Sequence, residues 1–159
     1  MRGTNVQFAS EVVSTLLKGA QLDTIRVYSL IVQLGFLRIG GAENVPGEVW
    51  LSVSGNLTIE DESSTVGKVN PAIDFFSSRE RAISESYRLI GKEVAATTVS
   101  DSGFLEVHLG SKLLRVEADT DGDLEDIWSV TDGLPDPNSV HQWHVSLDDS
   151  GCLSVRAPS

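Results

Sequence analysis

Two stretches of the chain repeat the same succession of sequence signals, and this repetition restricts the fold more than any other feature of the 159 residues. Each stretch begins with a helical pattern that ends at a glycine, Gly19 or Gly91, and continues as apolar residues at alternate positions. Trp50 in the first stretch falls opposite Trp128 in the second. An antiparallel meander with one apolar face is not stable alone in water, so each unit must cover the other.

The strands of the two units align by their apolar and glycine positions. Apolar alternation is common among strands, so chance similarity is the alternative explanation. The shared order of glycine and tryptophan argues against chance. The aligned stretches are 30–35 with 105–110, 37–39 with 114–116, and 54–59 with 150–155, and Val27 falls opposite Val99.

Helical spacing of apolar residues predicts helices at about residues 7–18 and 78–90. Ser77 and Glu80 have the spacing of a capping box, in which each side chain bonds a backbone N–H of the first helical turn. The predicted buried stripes are Phe8, Val12, Leu16 and Leu17 in the first helix, and Ile83, Tyr87 and Ile90 in the second.

Period-two alternation predicts strands over most of the remaining chain. Residues 54–56 are predicted to turn a hairpin, 101–103 and 149–151 to form tight turns, and 134–140 to form a proline-containing loop. The predicted strands lie within 22–39 and at 49–53, 57–59, 93–99, 105–109, 113–116, 127–130, 143–147 and 153–155.

These patterns predict a β-dominated α+β fold in one compact domain, residues 1–159, built from two diverged helix-plus-antiparallel-meander units packed together. The units cover about residues 7–60 and 78–156, and a polar linker covers about 61–76. A pseudo-twofold β-sandwich and one curved sheet both satisfy the pattern. The second unit differs mainly by an insertion between Trp128 and Trp143, and insertions of this kind often carry function.

The chain is strongly acidic, with 12 Lys and Arg against 23 Asp and Glu and a net charge of −11. Such a charge repels nucleic acid and anionic membranes and attracts cationic partners. The lone Cys152 cannot form an intramolecular disulfide and is expected to be a buried, inert thiol, and no apolar run reaches the length of about 18 residues needed to span a bilayer. We therefore expect a cytoplasmic protein that acts without a cofactor.

The negative charge is concentrated in the second unit, where residues 116–136 contain eight carboxylates and no Lys or Arg. Alternating acids can bind Ca²⁺, but the segment lacks the glycine and glutamate positions of an EF-hand loop. An acidic surface for a basic partner is the preferred interpretation, with an aromatic anchor if a tryptophan is exposed there. The predicted partner-binding residues are Glu117, Asp119, Asp121, Asp123, Glu125, Asp126 and Trp128.

No catalytic or metal-binding pattern is found in the sequence. There is no nucleophile elbow and no phosphate-binding glycine loop. His141 and His144 lie three residues apart, and on a strand they would point to opposite faces. Trp50, Trp128 and Trp143 are predicted to pack in the core. We therefore expect a protein that is not an enzyme and binds no metal.

The second half resembles a widespread group of small bacterial β-rich domains of unknown function. The whole chain also resembles the immunity proteins of bacterial polymorphic toxin systems, which are small, acidic and β-rich. The resemblance implies a cytoplasmic protein that binds a cognate toxin. The segments that carry the likeness are 88–92, 99–103, 105–109, 114–116, 127–128 and 151–155.

The leading functional hypothesis is a non-enzymatic immunity protein that masks the active site of a basic toxin. One alternative is a small-ligand-binding domain or small enzyme with its site between the two units. Another is a dimer like a secretion chaperone, although a closing strand at 153–155 stands where a dimerising helix would be expected. The oligomeric state is left open.

Overall fold

The computed structural model describes residues 2–41, 44–61, 75–117, 126–134 and 140–158. Within these ranges lie two helices and ten strands. In chain order they are α1 Arg2–Leu17, β1 Gln21–Val27, β2 Val32–Leu37, β3 Glu48–Val53, β4 Asn56–Asp61, α2 Phe75–Arg88, β5 Val94–Val99, β6 Leu105–Leu109, β7 Lys112–Glu117, β8 Asp126–Asp132, β9 His144–Asp148 and β10 Leu153–Arg156.

The strands form two antiparallel sheets. The large sheet has the order β1-β2-β3-β8-β9-β10, and the small sheet has the order β4-β7-β6-β5. The β-dominated α+β class and the packing of two helix-plus-meander units are confirmed. Of the two predicted arrangements, a sandwich of two sheets is the one formed. Most of the predicted linker and most of the proline loop lie outside the described residues.

The two units exchange one strand. Strand β4 leaves the first unit to pair with β7, and β8 leaves the second unit to pair with β3. The predicted hairpin at 54–56 is therefore wrong, because β3 and β4 belong to different sheets. The crossing requires glycine at position 55, because a Cβ there would lie 2.4 Å from the carbonyl oxygen of Glu117. Strands β9 and β10 extend the large sheet and have no counterpart among the described strands of the first unit.

A local twofold relation joins the two units where each helix passes into its first strand. The N–H of Gly19 donates to the carbonyl of Val94 at 2.9 Å, and the N–H of Gly91 donates to that of Leu22 at 2.7 Å. Gln21 and Glu93 face each other in an antiparallel bridge. Strands β1 and β5 also carry a register shift at the same place. These reciprocal bonds make α1 through β4 the structural counterpart of α2 through β8.

This relation corrects the sequence alignment of the strands. Val27 pairs with Val32 in the first unit, as Val99 pairs with Leu105 in the second. Leu105 therefore corresponds to Val32, whereas the sequence alignment matched it with Leu30, two residues earlier. Trp50 on β3 and Trp128 on β8 are not equivalent, because the counterpart of β8 is β4. Alternating apolar patterns overlap after any even shift, which explains the error.

The space between the sheets is filled by apolar side chains in the part of the chain that the structure describes. The inner faces and α1 contribute to one continuous core. This filled interior argues against the predicted ligand site between the units. Representative core residues are Leu16, Leu34, Leu51, Val107, Leu114 and Trp128.

The buried faces of both helices differ from the predicted stripes. Phe8 on α1 is 46% exposed and Tyr87 on α2 is 73% exposed, although both were predicted to be buried. On α2 the buried face instead includes Arg79 and Ser86. Helix α2 also begins at Phe75, so the capping box predicted two residues further on is wrong. Hydrophobicity alone missed this face because polar side chains that bond backbone carbonyls are stable there.

Candidate partner-binding site

The two ends of the acidic segment lie at one end of the sandwich. Glu117 is the last residue of β7 in the small sheet, and Asp126 is the first of β8 in the large sheet. The segment therefore crosses from one sheet to the other. The remaining predicted acidic residues lie outside the described residues; they are Asp119, Asp121, Asp123 and Glu125.

The second crossing between the sheets lies beside the first. The N–H groups of Ser54 and Gly55 donate to the carbonyl of Ile127 at 2.9 and 3.0 Å. The buried guanidinium of Arg79 donates to the carbonyls of Ser54 and Gly55 at 3.3 Å each. Helix α2 thus binds the second crossing, which is bonded in turn to Ile127, the residue after Asp126.

Two further turns bring carboxylates to the same end. Asp101 lies in the turn between β5 and β6, and this turn contacts β8 because the indole N–H of Trp128 donates to the Gly103 carbonyl at 2.9 Å. Asp126 pairs across the ladder with Asp148, the last residue of β9. We call this surface the acidic end; it comprises Asp101, Glu117, Asp126, Asp148 and Asp149.

Asp148 has a structural role within the acidic end. Its carboxylate accepts hydrogen bonds from the Ser150 hydroxyl at 2.7 Å, the Cys152 N–H at 2.8 Å and the Ser150 N–H at 3.0 Å. The Ser150 hydroxyl, followed by the N–H of Cys152, lowers the pKa of Asp148 below its ordinary value. Asp148 is therefore ionised at neutral pH and stabilises the β9–β10 turn. The Cys152 side chain is exposed in this turn, so its predicted burial is wrong.

Several cationic side chains are engaged within the fold. Arg38 donates to the carbonyls of Leu16 at 2.9 Å and Lys18 at 2.8 Å, at the carboxyl end of α1. Lys112 contacts Asp61 at 2.6 Å, and this hydrogen bond is the main reason that the pKa of Lys112 is raised. These cations lie at the opposite end of the sandwich from the acidic end.

The described cations near the acidic end include Arg26, Arg79 and Arg115, and Arg26 lies 5.9 Å from the centroid of the Trp50 ring. Arg79 is buried beneath the crossings. Arg115 lies between two glutamates, 3.5 Å from Glu106 and 3.9 Å from Glu117. These three guanidinium groups are fewer than the five carboxylates of the acidic end, which therefore keeps an excess of negative charge.

The structure removes Trp128 from the predicted partner surface. Its side chain is 0% exposed, and its N–H is used within the fold. Core packing, the other prediction for Trp128, is confirmed, as it is for Trp50. Trp143 is partly buried and lines an open depression of about 700 Å³ with Asp132, Gln142 and Pro158, among others. This depression lies at the end opposite the acidic end.

The histidines have separate partners. His141 Nδ1 lies 3.2 Å from the Asp132 carboxylate, while His144 Nε2 lies 3.1 Å from the Ser146 hydroxyl. Burial is the main cause that lowers the pKa of His144, and the nearby Asp126 carboxylate partly opposes it. Within the described residues, no three His, Cys, Asp or Glu side chains come together as a metal site.

An exposed apolar feature escaped the sequence analysis. The turn between β1 and β2 exposes Val27, Tyr28 and Leu30 to 54%, 50% and 53%. The signal was present, because a turn normally carries Gly, Asn, Asp or Ser rather than Tyr and Leu. The residues were instead assigned to the alternating pattern of one long strand region. This tip, defined as Val27, Tyr28 and Leu30, lies at the same end of the large sheet as Asp126.

No protein-family model, curated protein or solved structure matches the chain. Among the residues described, no helix is both long enough and apolar enough to span a membrane.

Proposed function

We propose that this chain is a non-enzymatic protein-binding protein whose acidic end docks on a basic partner. The most specific form of the proposal is a cytoplasmic immunity protein that masks the cationic active site of a toxin. The observation that carries it is the convergence of carboxylates on one end of the sandwich, from both described ends of the acidic segment, Glu117 and Asp126, and from the two turns at Asp101 and at Asp148 and Asp149.

Electrostatics explain what such a surface would achieve. A single-sign patch raises the rate of encounter with an oppositely charged protein, and it does so most at low salt. Enzymes that act on phosphate-containing substrates have cationic clefts, which the acidic end would complement. Four further carboxylates follow in the sequence between Glu117 and Asp126.

The test compares two variants of equal net charge. The first neutralises the acidic end by Asp101→Asn, Glu117→Gln, Asp126→Asn and Asp149→Asn, and leaves Asp148 in place to keep its turn. The control changes four carboxylates elsewhere, by Glu11→Gln, Glu60→Gln, Glu85→Gln and Glu93→Gln. Both are used with the wild type to capture partners from cells at low and high salt, and association rates are then measured on the captured protein.

We expect the wild type and the control to capture the same basic protein, and the acidic-end variant to bind it at least tenfold more slowly with a flatter salt dependence. A further variant with Asp119, Asp121, Asp123 and Glu125 changed to Asn or Gln should behave like the acidic-end variant. Equal association rates for the acidic-end variant and the control variant would contradict the proposal, because these two variants have the same net charge and differ only in which surface is neutralised.

A further inference from the structure

The hairpin tip is apolar and exposed at a place where the fold does not need apolar residues. Its counterpart in the second unit shows this directly. Tyr28 closes the first turn by donating its N–H to the Ile31 carbonyl at 2.8 Å, and Ser100 closes the second by donating to the Phe104 carbonyl at 2.9 Å. A serine therefore serves in the position of Tyr28. Closing the turn therefore does not require a tyrosine side chain.

The edge of β1 differs from its counterpart in the same way. In the second unit the N–H of Val99, on edge strand β5, donates outward to the Ser10 hydroxyl of α1 at 3.3 Å. Val27 occupies on β1 the position that Val99 occupies on β5, so its N–H also points away from the neighbouring strand of its sheet. Helix α2, the counterpart of α1, packs mainly on β4 instead. Within the described residues, nothing bonds the outward groups of Ile25 and Val27.

An open edge beside an apolar tip is suited to an added strand. The backbone of Ile25 and Val27 offers hydrogen bonds to an extended segment, and Tyr28 and Leu30 offer apolar contact beside it. Edge strands without cover are otherwise a liability for aggregation. A bound strand would cover the exposed surface of Tyr28 and Leu30.

A second copy of the chain is a poor occupant of this edge. The isologous register that pairs Ile25 with Val27 of another copy sets Arg26 directly opposite Arg26, and like charges in that position are destabilising. Each copy also carries a net charge of −11. A strand of another protein is not fixed in this register and can set an uncharged residue opposite Arg26, while a basic residue elsewhere on it gains from the exposed carboxylate of Asp23.

The acidic end lies within the same partner's reach. Asp126 is on β8, three strands from β1 in the large sheet, which corresponds to about 14 Å. A standard interface of about 800 Å² per partner is roughly 30 Å across. One partner can therefore cover both the tip and the acidic end.

From these observations we infer that the open edge of β1 and the tip accept an extended, lysine- or arginine-bearing strand of the basic partner. The inference rests on the proposed function, because it names the part of that partner which is held. The edge supplies backbone pairing, the tip supplies the apolar anchor, and the acidic end supplies the attraction.

The experiment uses the isotope-labelled full chain and the peptide acetyl-Lys-Val-Lys-Val-Lys-Val-Lys-amide. At a peptide concentration about ten times its Kd, we expect exchange of the Val27 amide to slow about tenfold, with the Val99 amide unchanged. The double variant Tyr28→Ser, Leu30→Ser should weaken binding at least about fivefold. Tyr87→Ser, which removes a still more exposed tyrosine from α2, is the control and should bind as the wild type does.

Several outcomes would overturn the inference. One is binding without protection of Val27, which would leave the acidic end as the whole site and the proposed function intact. Another is equal binding of the same peptide with its five central amides N-methylated, since these cannot donate to the edge. The third is concentration-dependent protection of Val27 without peptide, which would make the occupant a second copy.

A neutral peptide with serine in place of lysine separates this inference from the proposed function. If it binds equally well and protects Val27, the open edge is confirmed as a strand site while the preference for a basic partner fails. If the lysine peptide does not bind at all, the inference is overturned.

Discussion

The hairpins β1–β2 and β5–β6 hold equivalent places in the two units but have opposite surroundings. Leu30 precedes Ile31 in the first turn and is 53% exposed. Gly103 precedes Phe104 in the second turn and is buried against Leu147. The second hairpin is thus part of the core, whereas the first projects from it. The same local fold is packed against other elements in one unit and exposed in the other.

The difference arises from what each hairpin meets. The second turn accepts a hydrogen bond from Trp128, and α1 covers its strand edge through Ser10. Both partners come from other elements, so no property of the hairpin itself provides them. The extra strands β9 and β10 add Leu147 on the same side.

Among changes in the two hairpins, Gly103→Val is expected to lower the free energy of unfolding most. Gly103 has a φ of 84°, and a Cβ there would lie 2.6 Å from Leu147 Cδ1. Strained backbone and overpacking together should lower the free energy of unfolding by about 2–5 kcal/mol. The matched change in the first hairpin, Leu30→Ser, should stay within about 0.5 kcal/mol. Urea unfolding measures both, and similar losses would show that the two turns are equally embedded.

A smaller effect is expected from Ser10→Ala. The change removes the hydroxyl that accepts the Val99 N–H, so it should cost about 0.5–1.5 kcal/mol. Amide exchange at Val99 should then approach the rate at Val27, which makes the two edges alike. Thr15→Ala, on the same helix, provides a control because its hydroxyl bonds within α1. An unchanged Val99 rate would mean that α1 protects the edge without this bond.

The smallest expected effect is a pH-dependent change in stability from Asp148, in the β9–β10 turn next to Leu147. The folded pKa of Asp148 is below its ordinary value of 3.8, so its stabilisation is present above that pH and is lost as the pH falls through the folded pKa. The gap in unfolding free energy between wild type and Asp148→Asn should therefore narrow from pH 6 to pH 3. A gap that does not change with pH would exclude this carboxylate as the cause.

The local elements could be predicted because their signals are local. The turn at 101–103 and strand β6 were predicted correctly, since turn residues and period-two alternation act over a few neighbours. Both helices were found from their apolar spacing. Glu117 and Asp126 are strand ends in the structure, each one residue beyond the predicted strands 113–116 and 127–130.

The candidate site could be predicted only in part. Carboxylate density marked the acidic segment, but nothing local showed that Asp101 and Asp149 lie at the same end. Trp128 was assigned both to the core and to the partner surface, because a tryptophan is apolar enough for either. Burial decided between them. The tip at Tyr28 and Leu30 was missed because exposure depends on which elements are absent nearby.

The sequence by itself determined the class of fold, the two-unit organisation, the charge and the strand-forming segments, because each follows from residue type and short-range spacing. The tertiary structure alone decided the exchange of β4 and β8, the burial of Arg79, and the contrast between a covered β5 edge and an open β1 edge. These depend on which strands meet across long sequence separations. An alternating pattern shows that a strand has an apolar face but carries no information about its partner.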